Sequence, residues 1–244
     1  NATVNMTDSS WTGDNSGAGL SLTANNSKWN GSTSAAGSAT LTNGSIWNGA
    51  STSGDFSLTL NGSTWNNSGT SSLKSFAATN GIVDMSNAAA SVTIGSYSGD
   101  ATVIYKHNSS DPGEVYGGNF TVTKAAANSK ITMLTDRSGV DFNDEDSIAN
   151  ALNSLANKLY YTGYITGERN LAGYVKLAEG LTASSVIKQT GDISYDKTTG
   201  QGSLKDGSVT PNVTYPEAQT KDNLTSQITG EWKQDKEYKP VSYT

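Results

Sequence analysis

The 244 residues include no cysteine, one histidine, four prolines and three methionines. Without cysteine there is no disulfide framework, and no zinc-ligand spacing occurs anywhere in the chain. Charge is scarce as well: 16% of residues are charged and the formal net charge is −6. That acidic balance argues against nucleic acid or anionic lipid as a partner. No apolar run approaches the length needed to cross a membrane. Hydrophobic residues make up only 34%, a fraction that would suggest disorder in a compact globule. The chain opens at Asn1 without a signal-peptide pattern and reads as a mature fragment.

What the chain does have is a period. Trp11, Trp29, Trp47 and Trp65 stand 18 residues apart. A large, rare residue returning in step marks a structural unit that stacks on its neighbours and has too little core to fold alone. Nine, seven and five residues before each Trp lie Ala2, Val4 and Met6; Leu20, Leu22 and Ala24; Ser38, Thr40 and Thr42; Phe56, Leu58 and Leu60. A spacing of two is the strand period, with one face buried. The third set is poor, because its apolar residues Ala39 and Leu41 come one place late. A one-residue slip turns the other face inward unless a bulge absorbs it. Turn signals follow each strand at Asn25-Asn26-Ser27, Asn43-Gly44-Ser45 and Asn61-Gly62-Ser63. A Gly/Ser/Asn-rich stretch such as Gly31 to Gly37 reads as a loose return to the next strand.

At roughly 3.3 Å per residue, 18 residues make about one circuit of a small coil. That is too short for a propeller blade, and no helical pattern fills it as ankyrin or tetratricopeptide units require. A calcium-binding β-roll needs Asp-rich turns, and these turns carry Asn and Ser. The fold class predicted is therefore all-β: a right-handed parallel β-helix, a solenoid with one short helix and a C-terminal capping region. In such a stack, ladders of Asn, Ser and Thr bond along the axis, which reconciles the polar composition with folding. The Trp column is expected to be buried, since few other large apolar residues share each unit. A buried ring covers about 150–250 Å², or about 4–6 kcal/mol at most. An outward column would instead form an aromatic strip for sugars.

After Trp65 the 18-residue spacing lapses. Strands are expected at Gly81–Ser86, Ser91–Ile94, Ala101–Tyr105, Asn119–Thr123 and Lys130–Leu134, as coils of variable length. Lys106 to Gly118, containing Asp111-Pro112-Gly113, reads as an excursion from the coil. Asp144 or Asp146 can cap a helix whose apolar stripe is Ile148, Ala151, Leu152, Leu155 and Leu159. Leu159–Thr166, Tyr174–Ala178 and Asp192–Tyr195 read as further strands. This divides the chain into coils over 1–140 and a C-terminal part of the β-helix, with helical insertion and cap, over 141–244.

Candidate chemistry is thin. His107 lies near Asp111 and Glu114, which reads as a solvated loop histidine rather than a dyad. Gly95-Ser96-Tyr97-Ser98-Gly99 has Tyr where a nucleophile elbow needs Ser. Asp141, Asp144, Glu145 and Asp146 fail the EF-hand template, with Asp146 in place of Gly and Leu152 in place of the bidentate Glu. Negative charge at a helix start is already favoured by the helix dipole. Asn1 to Asn80 holds three Asp, no Glu and two Lys, too few for the convergent carboxylates of β-helical glycosidases. The triplets at Asn61, Asn108 and Asn119 are expected from turn chemistry rather than glycosylation. No catalytic, cofactor-binding or metal-ligating residue is assigned, no cofactor is expected, and the chain is read as not an enzyme.

Leu58-Thr59-Leu60 followed by Asn61-Gly62-Ser63-Thr64-Trp65-Asn66 resembles the coils of bacterial autotransporter passengers. Lys158 to Arg169 (KLYYTGYITGER) and Gly173 to Leu181 (GYVKLAEGL) resemble the C-terminal part of such passengers. Gly191 to Asp196 (GDISYD) and Thr199 to Gly202 (TGQG) add to the likeness, which is most specific from Asn157 to Gly202. The resemblance implies a pertactin-like adhesin on the bacterial cell surface or secreted, mediating attachment, self-association or biofilm formation. It further implies that the C-terminal portion nucleates folding, that the partners are host or bacterial surface glycans or proteins, and that membrane contact is made only by a separate barrel domain. Export of an unfolded chain also fits the lack of cysteine, since early disulfides would obstruct it. A β-helical lyase or glycosidase, or a passive stalk for another domain, are the alternatives.

Overall fold

The computed structural model describes residues 1–178 except 18, 109–110, 137–139, 142–144, 164–167 and 169. The expected strand Asp192–Tyr195, the segments GDISYD and TGQG, and the expected cap beyond 178 lie outside the described residues. Within them the chain is a parallel β-solenoid with a single short helix.

Each of the first four coils is a strand pair: β1 (Ala2–Thr7) with β2 (Ser10–Thr12), β3 (Leu20–Asn25) with β4 (Lys28–Asn30), β5 (Gly37–Thr42) with β6 (Ile46–Gly49), and β7 (Phe56–Asn61) with β8 (Thr64–Asn67). Next come β9 (Thr70–Thr79), β10 (Ile82–Asp84), β11 (Ser91–Tyr105), β12 (His107–Asn108), β13 (Asp111–Val115), β14 (Phe120–Ala125), β15 (Ser129–Asp136), α1 (Glu145–Ala156), β16 (Leu159–Tyr161) and β17 (Leu171–Ala178). The first strands of each pair form one parallel face in the order β1-β3-β5-β7-β9-β11-β14, and β16 pairs with the opening residues of β14. The second strands form another, β2-β4-β6-β8-β10-β11-β15-β17. Strand β11 belongs to both because it bends through the corner between them.

The corner residue is fixed by conformation. Asp8, Asn26, Gly44, Gly62 and Asn80 all have positive φ, at 48°, 46°, 76°, 56° and 50°, and each stands 18 residues after the last. Asn and Gly tolerate that left-handed region. The next residue in three of these coils is a buried serine, and it caps the corner. Ser27, Ser45 and Ser63 donate Oγ–H to the carbonyls of Asn25, Thr42 and Asn61, at 2.8, 2.7 and 3.1 Å.

Inside, the four Trp rings form one continuous stack. Successive centroids lie 5.3, 4.8 and 5.1 Å apart with interplanar angles of 6°, 5° and 10°. Trp29, Trp47 and Trp65 are wholly buried, while Trp11 in the first coil is half-buried. Each indole N–H donates to the carbonyl of the glycine two residues past the previous Trp: Trp29 to Gly13 at 3.1 Å, Trp47 to Gly31 at 2.8 Å, Trp65 to Gly49 at 2.9 Å. A Cβ on Gly31 or Gly49 would collide with the glycine carbonyl one coil earlier. The buried ladder, rather than the aromatic strip, is what forms.

The third coil departs from the expected phase. Ala39 and Leu41 are buried and pair with Leu22 and Ala24 before them and with Leu58 and Leu60 after. Ser38, Thr40 and Thr42, expected to face inward, face out. No bulge within the strand absorbs the slip. The β5–β6 corner holds three residues, Asn43 to Ser45, where the β3–β4 and β7–β8 corners hold two, and both Asn43 and Gly44 are left-handed. The Trp register resumes at once.

The loose return is also more ordered than its composition suggests. Asn15, Thr33 and Ser51 pair in parallel, Thr33 and Ser51 being buried, as a narrow third face. From β9 onward this face widens into regular strand: residues 91–94 pair with 70–73, then 120–122 with 92–94, then 159–161 with 120–122. Strand β9 was not expected, because its buried positions Ser71, Leu73, Phe76 and Ala78 change phase midway. The variable coils do occur. The register step on the second face is 18 at Trp65↔Val83, 20 at Ile82↔Thr102, 30 at Thr102↔Thr132 and 42 at Ser129↔Leu171. Helix α1 buries Ala151, Leu152, Leu155 and Ala156. Leu159, expected both to end the helical stripe and to open a strand, opens β16 opposite Phe120.

Trp47→Ala is expected to cost about 3–5 kcal/mol, since its ring is packed on both sides; an unchanged urea midpoint would contradict that. Gly49→Ala should destabilise by about 3 kcal/mol through overpacking, whereas Gly44→Ala, with open space around its Cβ, should cost about 1 kcal/mol from its positive φ alone. Equal losses would argue against the packing explanation. Burial pushes the hydroxyls of Tyr97 and Tyr105 well above the ordinary tyrosine value of 10.0. The unfolded chain ionises there first, so this stabilisation is complete below pH 10 and is lost as pH rises further. Urea midpoints should fall above pH 10, and a flat profile would contradict this account.

Candidate functional site

The strand alternation that buries the core also decides what the coils present. On the first face the outward residues form three columns along the axis. One is Thr3, Ser21, Ser38, Ser57, Ser75; the middle one is Asn5, Thr23, Thr40, Thr59, Ala77; the third is Thr7, Asn25, Thr42, Asn61, Thr79. Rungs repeat every 4.8 Å or so and the columns stand about 6.7 Å apart, two residues of strand rise. None of these positions is charged. Asp8, Asp55 and Lys74 lie beside the face at the corners, and Lys124, paired with Ser96, ends it. Internal bonding uses few of the polar groups: Ser75 Oγ donates to Ser57 Oγ at 2.8 Å and Thr42 Oγ1 to the Ala24 carbonyl at 3.3 Å.

The second face carries a different ladder. Beside the buried Trp column, Asn30 Nδ2 donates to Thr12 Oγ1 at 3.4 Å, Asn48 Nδ2 to Asn30 Oδ1 at 2.7 Å, and Asn66 Nδ2 to Asn48 Oδ1 at 2.6 Å. Each amide thereby satisfies its neighbour, and all the dipoles point one way along the axis. At the corner between the faces, Asn43 Nδ2 donates to Asn25 Oδ1 at 2.8 Å and Asn26 Nδ2 to Asp8 Oδ1 at 2.6 Å. A shallow, open depression of about 400 Å³ sits there, lined by Asp8, Ser10, Asn26, Lys28 and Ile46 among others.

The candidate chemical groups are dispersed. His107 pairs across a hairpin with Val115, and Asn108 with Asp111, so the excursion at Lys106–Gly118 is an antiparallel β12–β13 hairpin. It leaves the coil between the second and third faces, and α1 leaves at the same place one coil later. The two pack together, with Val115, Ala151, Leu152 and Leu155 all in the main core cluster. Lys158 ties the lobe down by donating to the Gly117 carbonyl at 2.7 Å; burial lowers its pKa, opposed by the nearby Glu114 carboxylate. The lobe was not foreseen from sequence, because nothing in either segment states that they share an exit corner. Gly95 to Gly99 is strand rather than a turn. Its Tyr97 is buried, accepts the Ala101 N–H at 2.6 Å and donates to the Lys130 carbonyl at 2.7 Å. Of the acidic run, Asp144 lies outside the described residues and Glu145 opens α1, while Asp141 is exposed. Among the described residues no three His, Cys, Asp or Glu side chains are grouped so as to hold a metal ion.

What this arrangement offers chemically is repetition: the same uncharged donors and acceptors at each rung, and no described cluster of acid, base and nucleophile. Comparison with protein-family models, with curated proteins and with solved structures returned no match.

Proposed function

We propose that this chain is a non-enzymatic adhesin, the coil stack of an autotransporter-type passenger displayed on a bacterial outer membrane or secreted. It mediates attachment, self-association or biofilm formation. The observation that carries this reading is the register of the outer side chains. Ser, Thr and Asn columns run along the first face and an Asn ladder along the second, while the Trp column is withdrawn into the core. Each rung contributes weak hydrogen bonds, and avidity over many rungs supplies the strength. Partners of matching chemistry are surface glycans or proteins of host or bacterium, or the equivalent face of another passenger. The membrane is reached only through a barrel domain outside these residues.

The test compares bacteria expressing the full-length protein with a strain lacking the coils of residues 1–80. Settling of the culture and attachment to a coated surface should fall to the level of non-expressing cells. Undiminished aggregation and attachment, with the shortened protein confirmed on the surface, would overturn the proposal.

A further inference from the structure

We propose that the outer face of the first sheet binds ice, its three columns matching the oxygen lattice of a crystal plane. This goes beyond adhesion and stands whether or not the chain is displayed on a cell. A site for one soluble molecule is a local arrangement; this face instead repeats in two directions, at about 4.8 Å along the axis and about 6.7 Å along the strands. Both repeats fall near the oxygen–oxygen repeats of an ice prism face. A partner that is itself periodic is the one such a surface fits.

Three observations favour crystalline water over other partners. The face bears no charge, whose tightly held hydration would disrupt an ordered water layer. Its middle column is threonine over the three central rungs, Thr23, Thr40 and Thr59, whose β-branched side chains have few χ1 choices. Their hydroxyls bond to no other group among the described residues, so they are open to hold water. The lattice is also kept where the sequence would break it. The extra residue of the third coil sits in the Asn43–Ser45 corner, leaving Thr40 aligned with Thr23 and Thr59. A neutral glycan would share the hydrogen-bonding chemistry, but the indoles that would stack on its rings form the internal column.

Each water-mediated contact is weak, and adsorption comes from their number. The full 244-residue chain is tested by its enrichment in a slowly growing ice fraction and by the gap between freezing and melting of a single crystal. Wild type should be enriched and should arrest growth. Thr40→Lys, which places a cation at the centre of the face, should fall to the level of buffer while keeping the β circular-dichroism spectrum. Ser34→Lys, exposed in the return loop, should behave as wild type. Should Thr40→Lys fail to fold, Thr59→Lys is read in its place. Wild type excluded from ice like an unrelated protein of its size would overturn the proposal, as would Thr40→Lys arresting growth normally. Retention on insoluble cellulose or chitin with no effect on ice would overturn it in favour of a neutral glycan.

Discussion

Indole stacked on indole, each N–H bonded to a glycine carbonyl of the coil before, is the contact on which the first four coils rest. It requires three things of every coil: a Trp, a residue without a side chain two positions later, and the same number of residues before the next Trp. Gly13, Gly31 and Gly49 meet the second requirement, and at Gly31 and Gly49 the glycine carbonyl of the coil before leaves no room for a Cβ. The third is met by adjusting corners. The return into the third coil is one residue short, so its inward residues fall 17 rather than 18 positions after those of the second, and one residue is added at the left-handed corner. Core and Trp column both stay in line. In a solenoid, where stability is a sum of coils and nearest-neighbour interfaces, a misaligned coil would weaken both neighbours.

The polar composition follows from the same geometry. A coil of 18 residues encloses little volume, so the large side chains are few and the rest must satisfy one another along the axis. Ser27 and Ser45 Oγ accept backbone N–H groups of Ser9 and Ser27 at 3.1 and 3.0 Å, and the Asn side chains bond in series. Residues that would signal disorder in a globule are here the vertical bonding of the stack.

How much of this could be read beforehand depends on the range of the determining contact. The coil, its corners and the buried column were legible because a period of 18 carries them and each rests on the adjacent coil. The third coil was legible as a misfit, with Ala39 and Leu41 visibly out of step, but not in its resolution, since sequence alone does not distinguish a late strand from an early one followed by a longer corner. Leu159 suits both helix and strand in the sequence, because its spacing from Leu155 fits the helix while the pairing with Phe120 that decides for strand lies 39 positions away. The lattice on the first face was present in the sequence as alternating Ser, Thr and Asn. Its regularity depends on the register between coils, which no single coil carries. The packing of the β12–β13 hairpin on α1 had no signal at all, because it joins two insertions of unrelated composition.

The end of the Trp column explains why the later coils differ in length. The position stacked on Trp65 is Val83, followed by Val103, Met133 and Val175. None of these fills the volume of an indole, so apolar bulk must come from elsewhere in the coil. It comes from the third face, which carries Thr33 and Ser51 beside the Trp coils but Val92, Ile94, Phe120, Leu159 and Tyr161 beyond them. Asn67 marks the change. It occupies the place of the ladder glycines, and its Nδ2 donates to the Ser91 carbonyl at 3.0 Å, joining the last Trp coil to the first widened one. Once the core no longer depends on a ring at one fixed position, the link between the second and third faces is released from a set length. The hairpin and the helix both enter there, in successive coils, without disturbing the parallel register of any face.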